Sequence, residues 1–137
     1  MRALAFVALV VLGACAPPLS SGGEGCDLAG FRRVQQAHAG RSEVTICGRV
    51  ASVRAVHRTR SGAHRDFIVD VGSGDRIEVD SNVDIMGNFP IQTGQRALVR
   101  GEYYYDGGGR EGVHFTHHAT GGRHPAGFVN LDGRVYR

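Results

Sequence analysis

Lysine and tryptophan are both absent from the 137 residues, and cysteine occurs at three positions only. Without lysine, all sixteen cationic side chains are arginine, so the formal net charge of +3 is carried by guanidinium groups alone. That excess is mild, well short of the charge that announces nucleic-acid binding by itself. The longest apolar run, Ala3 to Leu12, spans ten residues, about half of what a bilayer-crossing helix needs. No Gly-rich phosphate loop precedes a helical pattern, and no serine stands in a nucleophile-elbow motif. Nucleophilic hydrolase chemistry therefore has no visible support in the sequence. Finger-type and HExxH zinc spacings are missing as well.

What is present begins with an export signal. Residues 1–14 combine Arg2, the apolar run and a small-residue ending, and Leu12-Gly13-Ala14-Cys15 has the form of a bacterial lipobox. Cleavage before Cys15 and diacylation of its thiol are expected, two acyl chains being what makes anchoring stable. The alternative is a secretory peptide cut nearby. Ala16, rather than aspartate, at the second mature position points to an outer-membrane anchor facing the periplasm. Residues 15–25, rich in Pro, Ser and Gly, read as a lipidated flexible tether, and residues 26–137 as a single domain. Cys26 and Cys47 remain, in a compartment that permits oxidation. We expect them to be bridged, with two free thiols as the alternative.

Asp27 to Gly40 places Leu28, Phe31 and Val34 on one helical stripe, with Asp27 as N-cap and Gly40 as stop; His38 reads as a solvated last-turn residue. From Val44 the period changes to two, and Cys47 falls on the outer face of that strand. A bridge to Cys26 would strap the helix start over it. Strand patterns follow at Asp66–Val71, Arg76–Asp80, Arg96–Tyr105 and Val113–His117, and Asp132-Gly133 signals a type I′ hairpin within Phe128–Tyr136. Ala97, Val99, Gly101 and Tyr103 share one face of their strand. The class is mainly β: a five-stranded OB-like Greek-key barrel with one N-terminal helix, with a β-sandwich as the alternative.

Two constellations carry chemistry. Of seven histidines, His114, His117, His118 and His124 lie within eleven residues. On a straight strand His114 and His118 would stand roughly 13 Å apart, too far for one zinc, whose ligand nitrogens lie about 2 Å from it. A metal thus requires a bend after Thr116, with Asp84 or Glu102 from a neighbouring segment. His117 matches Val113 and Phe115 in parity and is expected to be buried, neutral and structural, while Thr116 and Asn82 could hold a histidine in one tautomer. The second constellation is basic: Arg49, Arg54, His57, Arg58, Arg60, His64 and Arg65 follow the first strand. Tyr103, Tyr104 and Tyr105 are available for stacking.

The run from Cys47 to Arg137 resembles the DUF3465 family, small exported bacterial proteins of unassigned function. The resemblance rests on His64 before a Phe-bearing strand, Asn82 and Asp84, Gly101-Glu102-Tyr103, His114 with Thr116-His117-His118, and His124 with Phe128. Departures fall at Ser81, where the family pattern has histidine, at Phe115 and Phe128 in place of tryptophans, and at Ala119-Thr120 in place of Asp-Pro.

The reading that results is a membrane-anchored periplasmic binding module for an anionic or polar ligand: an envelope polymer, a phosphoester or an oligonucleotide-like chain. Export weakens nucleic acid as the partner. Its ligand set would be Arg49, Arg58, Arg60, His64, Arg65, Asn82, Tyr103 and Thr116. The alternative is a metal-assisted phosphodiesterase or nuclease-like enzyme, with zinc or manganese on Asp84, His114, His118 and His124 and with His64 or Glu102 as general base. A purely structural envelope protein is the third.

Overall fold

A computed structural model describes residues 25–137; the signal, Cys15 and nearly all of the tether lie outside them. Helix α1 (Leu28–Gln36) starts where Asp27 accepts the Gly30 N–H at 2.7 Å, as an N-cap should. It ends sooner than the Gly40 stop implies, because His38 takes the left-handed conformation (φ 49°) and stacks on Tyr105 at 4.0 Å. The remaining elements are β1 (Ser42–Val53), β2 (His57–Thr59), β3 (Gly62–Gly72), β4 (Asp75–Asn82), α2 (Val83–Met86), β5 (Arg96–Tyr105), β6 (Glu111–His114), β7 (Phe128–Leu131) and β8 (Arg134–Tyr136).

Five strands close a barrel in the order β1-β3-β4-β6-β5, with β5 pairing back to β1. All contacts around the ring are antiparallel except β4–β6, which is parallel. This is the OB-type Greek key. Strand period decides the interior: Ile46, Val50, Phe67, Val69, Ile77, Val79, Val99 and Val113 are inward positions at 0–1% exposure. Phe31 from α1 plugs one end, meeting the Tyr103 ring edge-on at 6.1 Å. Cys26 and Cys47 are bridged across 5.4 Å between Cα atoms, and Asp27 N–H donates to the Thr45 carbonyl beside them at 2.9 Å. The helix start is thereby strapped to the outer face of β1, as the pattern suggested.

Two strands depart from expectation, and one expected hairpin is present. β2 occupies part of what reads as a loop, because His57, Arg58 and Thr59 pair with His64, Ala63 and Gly62 and extend β3 backwards. β6 stops at His114, since Phe115 is left-handed (φ 52°) and the alternation cannot continue through it. The Phe128–Tyr136 segment is a hairpin, turning on Asp132 (φ 50°) and Gly133 (φ 96°), the two positive angles of a type I′ turn.

Candidate functional site

The outward residues of β3, β4, β6 and β5 form one polar face. Register places His64 opposite Asn82, Asp66 opposite Asp80, Glu78 opposite Gly112 and Glu102 opposite His114. Two hollows lie along this face. The first, of about 240 Å³, is at the end of the barrel where β4 and β6 finish, and its walls include Ser61, His64, Asp80, Asn82, His114, Phe115 and His117. The second, of about 480 Å³, lies toward the α1 end and is lined by Arg54, Arg76, Glu78, Tyr104, Arg110 and Glu111 among others.

In the first hollow each histidine has one ring nitrogen committed. His64 Nδ1 lies 2.7 Å from Asp80 Oδ1, and since a carboxylate only accepts, Nδ1 carries the proton and Nε2 presents a lone pair. Ser61 Oγ stands 2.9 Å from that Nε2. Across the hollow, His114 Nε2 donates to Glu102 Oε1 at 3.2 Å. His117 Nδ1 donates to the His118 carbonyl at 2.6 Å. Burial holds the His117 imidazole below its usual range, with like charge at His124 and His118 adding to the effect.

The histidine-rich segment folds by stacking. Phe115 is sandwiched between His114 at 4.0 Å and His124 at 4.3 Å, and His117 meets His124 edge-on at 4.9 Å. His118 is exposed. Asp84 accepts the Ala63 N–H at 2.9 Å and is not among the residues lining the first hollow. Asp84, His114, His118 and His124 are therefore not brought together, and among the described residues no group of three or more His, Cys, Asp or Glu is arranged to hold a metal ion. The bend comes one residue earlier than a metal site required, at Phe115, and it turns His118 outward.

The second hollow is a lattice of paired charges. Arg54 Nη1 reaches Glu78 Oε2 at 2.8 Å and Asp66 Oδ2 at 3.7 Å; Tyr104 OH donates to Glu78 Oε1 at 2.9 Å; Arg110 pairs with Asp106. Burial, then the charges of Asp80 and Glu78, push the Asp66 carboxyl above its usual range. Arg76 is exposed and makes no hydrogen bond or ion pair among the described residues.

The basic constellation disperses. Arg49 donates to the Gly94 carbonyl at 2.9 Å, away from both hollows. Arg65 pins the segment after α2 through Asn88 Oδ1 and the Phe89 carbonyl, each at 2.8 Å. Arg58 and Arg60 are exposed on the β2–β3 hairpin that carries Ser61. Tyr103 cannot be a stacking platform: it is fully buried and its hydroxyl donates to Glu111 Oε2 at 2.6 Å. Thr116 is likewise buried, and its hydroxyl donates to the Asp80 carbonyl. Asn82 lines the first hollow while its Oδ1 caps α2 by accepting Ile85 N–H at 3.2 Å. Ser61, Asp80, Glu78 and Arg76 carry no motif. The outward parity of Arg76, Glu78 and Asp80 on β4 is readable, whereas Ser61 lies on the β2–β3 turn; the register that gathers the four is not readable.

One family model, described as Protein of unknown function (DUF3465), matches residues 23–137. No curated protein matches the chain.

Proposed function

The chain belongs to the DUF3465 family, whose description assigns no activity, and we propose that its barrel is a lipid-anchored, periplasm-facing binding module for a polar envelope polymer carrying spaced phosphate or carboxylate groups. The observation that carries this reading is the pair of hollows set end to end on the face of an OB barrel that grips extended polar chains in other such barrels. Small-molecule sites are mostly apolar and enclosed, whereas this face sets ring nitrogens, carboxylates, guanidinium groups and one tyrosine hydroxyl beside Phe115 and Ile68.

Charge narrows the ligand. The carboxylates Asp66, Glu78, Asp80 and Asp106 are each within hydrogen-bond or ion-pair distance of a cation or histidine on the same face, so an incoming chain meets them already satisfied. Arg76, Arg58 and Arg60 are exposed and unpaired among the described residues, and each offers a fork that fits phosphate or carboxylate. A uniformly charged nucleic-acid strand would run its phosphates over the four carboxylates. A polymer whose anionic groups are separated by hydroxyl-bearing units would not.

Retention of the full mature chain on phosphocellulose tests the reading. Wild type is expected to bind and to elute as salt rises, and Arg76→Ala to bind up to about fivefold more weakly, the worth of one exposed ionic contact. No retention of wild type at low salt, or equal elution of wild type and Arg76→Ala, overturns it.

A further inference from the structure

Binding alone leaves one arrangement without a use: the hydrogen-bonded chain from Ser61 through His64 to Asp80. We infer that the first hollow is an acyl-transfer site in which Ser61 is the nucleophile toward small carboxylic esters. The identity of the alcohol half, a hydroxyl of the polymer proposed above, rests on that reading; the chemistry at Ser61 does not.

The connectivity is that of a serine–histidine–aspartate triad, which is recognised by geometry and roles and not by position in the chain. Asp80 Oδ1 holds His64 Nδ1–H at 2.7 Å and so fixes Nε2 as the basic nitrogen. Ser61 Oγ lies 2.9 Å from it, within reach for proton transfer. His64 is buried at 8% exposure, Asp80 beside it is half-buried, and the serine stands on the exposed turn of the β2–β3 hairpin. The support is rigid: Asp80 lies in the β3–β4 ladder opposite Asp66, and its carbonyl accepts the buried Thr116 hydroxyl at 2.9 Å. The Thr59 hydroxyl accepts Ser61 N–H at 3.1 Å and so fixes the turn.

A donor for the developing oxyanion is also present. Asn82 lines the same hollow, and with its Oδ1 committed to Ile85 N–H, its Nδ2 side, near Gly62, remains free to donate. One such amide is worth on the order of a hundredfold or more in rate. Phe115 and the rings of His64, His114 and His117 wall a hollow of about 240 Å³, which holds a small acyl group with the alcohol half lying out along the face.

The step balances without a co-reactant other than water. Ser61 Oγ bonds to the carbonyl carbon while its proton passes to His64 Nε2. The bond from that carbon to the alcohol oxygen breaks as Nε2 returns the proton to the leaving oxygen. Water, deprotonated by the same nitrogen, then cleaves acyl-Ser61 to the free acid and restores the serine.

The test is p-nitrophenyl acetate hydrolysis together with fluorophosphonate labelling, read by intact mass, on the full mature chain. Wild type should turn over the ester and take up one phosphonyl group, mapped to Ser61. Ser61→Ala and His64→Gln should each lower turnover at least about a hundredfold, the scale of general-base catalysis. Asp80→Asn, a positioning change, should lower kcat with KM retained. Because His64 is packed into the rim, Ser61→Ala on the exposed turn is the deciding variant. Wild-type rates in Ser61→Ala, or folded wild type with neither turnover nor adduct, overturn the inference, and retention on phosphocellulose in that second case leaves the binding reading standing alone. Turnover lost in Ser61→Ala without any retention supports the Ser61 chemistry and overturns the binding reading.

Discussion

His117 illustrates how a residue can be read correctly for an incomplete reason. Parity with Val113 and Phe115 placed it inside, and it is buried; yet the strand ends at His114, and the left-handed Phe115 carries the chain inward. Tyr103 is the converse: it shares a face with Ala97, Val99 and Gly101, and its burial on that face removes the stacking role that its aromatic character suggested. Burial has a pH consequence at His117. Its pKa is lowered in the folded state, first by desolvation, so between that value and about 6.5 the unfolded chain binds more protons. The stability it contributes is present above pH 6.5 and is lost as pH falls through that window. His117→Gln keeps a donor for the His118 carbonyl and removes the titration. Melting temperatures at pH 7, 6 and 5 should therefore fall by a few degrees more in wild type than in the variant, and parallel curves would refute the assignment.

At the scale of elements, the period-two pattern located β5 to the residue and β3 and β4 in part, since one face of each must be apolar. It missed β2, whose three residues are all exposed and leave no periodic trace. The Cys26–Cys47 bridge was legible from compartment and from the outward parity of Cys47. Closing its loop, 21 residues in sequence separation, stabilises the fold by about 3 kcal/mol on the chain-entropy view. Periodicity reads glycines inside strands only as members of a face, yet Gly48, Gly101 and Gly112 are fitting requirements against neighbouring backbone. A Cβ on Gly101 of β5 would stand 2.3 Å from the His114 carbonyl oxygen and 2.8 Å from Val113 Cγ1. Backbone cannot yield as a flexible side chain can, so β5 and β6 would have to separate. Gly101→Ala is expected to cost about 2–3 kcal/mol, read as a lower urea midpoint at unchanged slope. A midpoint within error of wild type would mean that the β5–β6 seam is looser than the geometry implies.

The whole molecule has two ends, and which one carries the chemistry could not be seen in the sequence, because the parallel β4–β6 contact sets it. Helix α1 covers the end where β1, β4 and β6 begin, through Asp27 on Thr45, Arg32 on Asp75 and Gln35 on Glu111. The hollow with Ser61, His64 and His114 opens at the other end, where β4 and β6 finish. The described chain enters the barrel at the α1 end, opposite the hollow. If Cys15 is the anchor, the eleven residues from it to Cys26 would reach at most about 40 Å. That reach stands on acylation of Cys15. With Cys15→Ser the precursor should remain uncut by the lipoprotein peptidase and take up no palmitate probe, while the barrel, whose bridge uses the other two cysteines, keeps its melting temperature. Normal palmitate incorporation in that variant would rule out Cys15 as the acylated residue.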